Sequence, residues 1–254
     1  MTSEPALTLF CLAHAGGSAH PYIRLAADLP DRVRLVPLEL PGHGTRVREP
    51  LLHGLAPLID EVVRLVGEQR EGPYALYGHS FGALLGYEAA RALTTLGTPP
   101  ELLLVSGRNG PTEPLSHRPF HHLPDDGFVH GLQRIGGLPE ALLAEPELLR
   151  FYLPAIRADL KVVETYTHAP GPRLAVPVAS FAGRKDVLTD PASVAAWSRI
   201  TTGVFDFTLV DAGHFFLQEP EFRAALSARL TRFAKQPRRS PAARGTASRA
   251  GQAG

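Results

Sequence analysis

The stretch "YALYGHSFGALLGYEAARAL" (Tyr74–Leu93) decides how the chain is read. It holds Gly78-His79-Ser80-Phe81-Gly82, a match to G-x-S-x-G. In a chain with 24 glycines the bare pattern is weak; its flanks make it specific. "YALYG" is apolar, short and aromatic, as a buried strand is, and "FGALLGYEAARALTTLG" is a run of helix formers closed by Gly97. A serine at a tight strand-to-helix turn is a nucleophile elbow, with glycines two residues before and after it leaving room for the turn. The helix N-terminus behind Ser80 offers backbone N–H groups to a developing oxyanion.

Outward from the elbow, strand and helix alternate. "ALTLFCLA" (6–13) and "VRLVPLEL" (33–40) read as buried strands, the second despite Pro37. "APLIDEVVRLVGEQ" places Leu58, Ile59, Val62, Val63 and Val66 on one helix face. "ELLLVSG", "AVPVASFAG" and "VFDFTLVDAGH" read as further strands, the last running into a loop. "DPASVAAWSRI" reads as a helix capped by Asp190 with Pro191 at its first position. "EPEFRAALSARLTRFAK" is a closing amphipathic helix. This order predicts a mostly parallel α/β sheet covered by helices on both faces. The alternation breaks between about 114 and 166, where "PDDGFVHGLQRIG", "LPEALLAEP" and "ELLRFYLPAIRADLKVVETY" read as three helical pieces, the last kinked at Pro154. Such a block is expected to form a helical lid over a site on the sheet.

A serine hydroxyl needs a base, and an elbow of this kind implies the chain order Ser–Asp–His. Of eleven histidines, His14, His43 and His53 come too early, and His79, next to Ser80, reads as a packing residue. His117, His121, His122 and His130 fall in or before the helical block, with a solvated or lid-facing role, and His168 on a loop after it. His214, in the loop after the last strand, is the base. Among the acids, Asp186 follows the C-terminal end of a strand, where open parallel sheets place their sites. Asp190 is taken as a helix cap, and Asp211, three residues before His214, as structural. The expected triad is therefore Ser80, Asp186 and His214. The loop His14-Ala15-Gly16-Gly17 after the first strand, small enough for close backbone approach, is expected to supply a second oxyanion donor. The backbone N–H groups of Ala15 and Phe81 are the candidates. The same glycines lack the lysine and the spacing of a phosphate loop.

Composition limits the alternatives. The chain has 254 residues, 44% hydrophobic and 20% charged, which suits a sizeable soluble domain expected over 1–235. One cysteine, Cys11, excludes an internal disulfide framework and a cysteine metal cluster, and the N-terminal segment does not read as a signal peptide. A cytoplasmic, monomeric protein is expected, without membrane attachment, nucleic-acid binding or metal. The four arginines of 236–254 turn a net charge of +1 into −3 for the remaining chain, and that basic tail, with no apolar periodicity, reads as disordered.

With these residues placed, the sequence resembles the type II (editing) thioesterases of polyketide synthase and nonribosomal peptide synthetase systems, which belong to the α/β-hydrolase superfamily. The resemblance runs from about Leu7 to Phe233. "HAGGSA" is similar to the family's first loop, "LPGHGTR" to the loop after its second strand, and "GHSFG" to its elbow, where Met is commoner than Phe81. "GGLPEALLAEPELLRFYLPAIRADLKVVETY" is similar to its lid, and "AGRKD" and "GHFFL" to its aspartate and histidine segments. Arg184 and Lys185 depart from the usual acidic or neutral residues. The resemblance implies the triad already chosen, and hydrolysis of stalled or aberrant acyl groups from the phosphopantetheine arm of acyl carrier proteins or peptidyl carrier domains. It implies no cofactor, since phosphopantetheine belongs to the substrate. Two other readings are a stand-alone serine esterase acting on small oxygen esters and a carrier-binding module that has lost catalysis. The second would lack a triad member, and none is missing.

Overall fold

The computed structural model describes residues 6–136, 138, 142 and 144–235. Strands β1 (Leu7–Leu12), β2 (Val33–Leu38), β3 (Tyr74–His79), β4 (Leu102–Ser106), β5 (Val178–Gly183) and β6 (Phe205–Val210) form one sheet in the order β2-β1-β3-β4-β5-β6. All five pairings are parallel. The helices are α1 (His20–Leu25), α2 (Leu55–Gln69), α3 (Phe81–Thr95), α4 (Asp125–Arg134), α5 (Pro146–Thr165), α6 (Pro191–Ala195) and α7 (Pro220–Lys235). The expected α/β-hydrolase architecture is present.

Alternation along each central strand splits the core in two, because successive side chains point to opposite faces. Leu7, Leu9 and Cys11 of β1, with Ala75 and Tyr77 of β3, pack toward Tyr22 and Leu25 of α1 and Phe222, Leu226 and Leu230 of α7. Phe10, Leu12, Tyr74 and Leu76 pack on the other face against Leu58, Val62 and Val66 of α2 and Leu84, Leu85 and Leu93 of α3. Helix α3 is buried nearly all round, which explains its run of alanine, leucine and glycine.

β2 is not a buried strand but an edge, with five of its six residues half-buried. An edge tolerates Pro37, which has no N–H to give a second neighbour. The third helical piece is α5, one 20-residue helix with Pro154 inside it. Of the piece expected over 138–146, residues 139–141 and 143 lie outside the described residues, as does the whole tail from 236 onward. Helices α4 and α5 fill the stretch between β4 and β5. No helix among the described residues is long and apolar enough to cross a membrane.

Candidate active site

The elbow is as tight as a chain can make it. β3 ends at His79, α3 begins at Phe81, and Ser80 alone joins them. Its φ of 56° and ψ of −112° make it the one non-glycine residue with positive φ among those described, a conformation that costs about 1–3 kcal/mol and is held by its surroundings. Ser80 N–H donates to the Ser106 carbonyl at 2.8 Å, continuing the β3–β4 ladder one residue past the strand. The flanking glycines are steric requirements. A Cβ on Gly78 would lie 2.0 Å from the Gly82 carbonyl oxygen, and one on Gly82 would lie 2.2 Å from that of Leu12.

The structure brings Asp186 and His214 together across 28 residues, Nδ1 to Oδ2 at 2.8 Å. Both side chains are buried, that of Asp186 completely. The carboxylate is held by its own loop. Leu188 N–H donates to Oδ1 at 2.8 Å, and Thr189 Oγ1–H donates to Oδ2 at 2.8 Å. A carboxylate only accepts, so Nδ1 of His214 carries the proton and Nε2 is left as a base. Ser80, His214 and Ala15 line one cleft of about 70 Å³, whose far wall includes Leu160 and Val163 of α5. Ser80 Oγ makes no hydrogen bond to His214 in this arrangement; such bonds commonly tighten only with substrate in place. Phe81, first residue of α3, has no carbonyl four residues back to accept its N–H within the helix. Its ring is buried in the core rather than in the cleft.

The competing residues are elsewhere. Asp190 accepts from Ser193 N–H at 2.9 Å, as a helix cap does. Asp211 is exposed and pairs with Lys185 at 3.1 Å. His79 is buried beneath His214, ring centres 5.0 Å apart, with Nδ1 on Ser106 Oγ at 2.8 Å. His14 lies beside the site too, 6.2 Å from the His79 ring. Burial, then the nearby His214 charge, lowers the His14 pKa to about 4 and that of His79 well below its ordinary value.

Two arrangements escaped the linear reading. His43 is buried and bonded to Asp159 of α5 at 2.9 Å, and the same carboxylate oxygen accepts from Gly16 N–H at 2.8 Å. Glu164, near the end of α5, takes the N–H groups of Phe120 (3.0 Å) and His121 (2.9 Å), as well as both His121 Nδ1 (2.5 Å) and His117 Nε2 (3.2 Å). The His43–Asp159 contact spans 116 residues, and no spacing rule marks such a distance.

A parallel sheet bearing a strand–serine–helix elbow, with an Asp–His pair beyond the ends of later strands, defines the α/β-hydrolase class of fold. Comparison with known proteins narrows this: the thioesterase domain family matches residues 7–232, and the chain belongs to that family. It is 39% identical over 216 residues to the thioesterase PikA5 of Streptomyces venezuelae, covering 84% of this chain and 76% of that protein. The solved structure of RedJ, a thioesterase of the prodiginine pathway in Streptomyces coelicolor, superposes with a TM-score of 0.82 at 36% identity, covering 91% of this chain and 86% of that one. The type II thioesterase BorB of the borrelidin cluster gives 0.80 at 34% identity, covering 92% and 94%. The resemblance to type II thioesterases is thereby borne out.

Proposed function

We propose that the protein hydrolyses acyl thioesters carried on the phosphopantetheine arm of acyl carrier or peptidyl carrier domains, clearing stalled or aberrant acyl groups from a modular synthase in the cytoplasm. The observation that carries this is the Asp186–His214 pair, which leaves Nε2 unprotonated in the cleft that Ser80 also lines. Ser80 Oγ attacks the thioester carbonyl carbon while His214 Nε2 takes the hydroxyl proton. The electron pair of the C=O bond moves to oxygen, and the N–H groups of Phe81 and Ala15 receive that oxyanion. The C–S bond then breaks, Nε2–H protonates the departing sulfur, and the acyl group remains as an ester on Ser80. Water gives a proton to Nε2 and its oxygen to the carbonyl carbon; collapse returns the proton to Ser80 and releases the acid. Asp186 stays ionised throughout and steadies the imidazolium. None of these steps calls for a cofactor.

Helices α4 and α5 act as the lid, and Ile135, Leu160 and Val163 line the space left for the acyl group. The test is steady-state hydrolysis of a panel of acyl groups on a carrier protein, beside matched pantetheine thioesters and oxygen esters. Carrier-bound thioesters are expected to be the best substrates, and Ser80→Ala to abolish turnover with the fold retained. A preference for oxygen esters would make the protein a general esterase. Near-normal turnover by Ser80→Ala would remove the nucleophile.

A further inference from the structure

Asp159 lies on α5, one residue before the cleft-lining Leu160, and is only 2% exposed. Its Oδ2 reaches two separate loops, accepting from Gly16 N–H at 2.8 Å and from His43 Nε2 at 2.9 Å. The other nitrogen of His43 faces the Pro41 carbonyl at 3.0 Å. A carbonyl and a carboxylate both only accept, so His43 donates from both nitrogens and is an imidazolium. Burial opposes that charge, but the bond to Asp159 and its negative charge outweigh it, and the pKa of His43 is raised. The first loop also lies flush on α5. Gly16 has φ of +68°, and a Cβ there would sit 2.3 Å from Ile156 Cγ1. Gly17 N–H closes the turn on the His14 carbonyl at 2.8 Å, with Ala15 between these anchors.

We propose that Asp159 is a positioning residue. Held in place by the His43 imidazolium, its carboxylate pins the Gly16 N–H and so aims the adjoining Ala15 N–H at the oxyanion. This rests on the reading of Ala15 as an oxyanion donor. It means that the helix forming one wall of the acyl cleft also sets the oxyanion hole, so the donor is in place only while α5 is seated on the loop.

The test compares wild type, Asp159→Ala, Asp159→Asn, His43→Gln and Ser80→Ala on one acyl-pantetheine thioester. Two pantetheine analogues are measured alongside: a trifluoromethyl ketone, which adds to Ser80 and generates an oxyanion, and a matched thioether, which cannot. Removing an oxyanion donor costs about 10²–10³ in kcat. Asp159→Ala is therefore expected to lower kcat by about 100-fold with KM changed less than about threefold. It should weaken the ketone by a similar factor and leave the thioether untouched. Asp159→Asn should recover a substantial part of kcat, because its amide oxygen can still accept from Gly16. Equal weakening of both analogues would show a merely structural role and overturn the proposal. So would a wild-type kcat in Asp159→Ala while Ser80→Ala is inactive, a result that leaves the hydrolase reading intact. Turnover by Ser80→Ala would overturn that reading and the proposal with it. If Asp159→Ala does not fold, the ketone-to-thioether affinity ratio of His43→Gln decides, with Asp159→Asn as the control that keeps an acceptor for Gly16. Loss of ketone affinity alone in His43→Gln supports the proposal, and an unchanged ratio overturns it.

Discussion

Among the described residues there are two buried aspartate–histidine pairs, and they differ in what one ring nitrogen faces. In Asp186–His214 and Asp159–His43 the carboxylate grips a ring nitrogen at 2.8 and 2.9 Å, and each acid is completely or almost completely buried. His43 spends its second nitrogen on the Pro41 carbonyl, so in its charged form both ring protons are committed. His214 presents its second nitrogen to a cleft shared with Ser80. What the second nitrogen faces decides whether the ring can accept a proton during a reaction or only hold two loops together.

The largest effect expected from this difference is at Asp186. Asp186→Asn presents an amide that can donate to Nδ1, which favours the tautomer with its proton on Nε2, the wrong one for a base. In serine proteases such a change costs about 10⁴ in kcat, and a loss of that order is expected here for thioester turnover. Because Leu188 N–H keeps an oxygen at the Oδ1 position, and the Thr189 hydroxyl can turn to accept from the amide, melting should change far less than rate. An Asp186→Asn variant with nearly full kcat would erase the distinction between the two pairs.

How far this was legible in sequence follows from what each feature depends on. The elbow is local: Gly78, Ser80 and Gly82 must meet backbone at close range, so the pattern in the chain is the cause of the geometry. The sheet was legible because buried parallel strands leave short apolar runs, although the same runs concealed that β2 is an edge. Chain order and strand ends single out Asp186 and His214 without any knowledge of their contact. Asp159 and His43 obey no such rule. Asp159 sits mid-helix like any polar residue, and only the packing of α5 on the first loop, through Ile156 and Gly16, buries it beside His43. Glu164 was hidden for the same reason: its partners Phe120 and His121 lie on a loop whose path no periodicity encodes.

Acid–base linkage offers a second way to separate the histidines, through slopes of opposite sign. His43 has a raised pKa when folded, so its pairing stabilises the protein fully below the unfolded value of about 6.5 and is lost as pH rises through the folded value. His14, lowered to about 4, stabilises fully above about 6.5 and progressively less as pH falls toward 4, because the unfolded chain then binds the proton first. Urea unfolding across this range should show His43→Gln with a shallower alkaline decline than wild type, and His14→Gln with a shallower acid decline. If both variants flattened the same limb, the assignment of His43 as a buried cation would fail.

The smallest effect belongs to an acid that touches no imidazole. Asp190 lies four residues beyond Asp186, is exposed, and directs Oδ2 to Ser193 N–H at 2.9 Å and Ser193 Oγ at 3.1 Å. That is the geometry of an N-cap, whose removal costs about 1 kcal/mol. Asp190→Ala is therefore expected to lower unfolding free energy by about that amount in denaturant titration, and to leave kcat within about twofold. The loop still has its Asp186 bonds to Leu188 and Thr189, which are made on the near side of the helix start and do not pass through Asp190. A large loss of rate in Asp190→Ala with stability intact would mean that proximity on this loop, rather than contact with His214, governs which carboxylate serves the base.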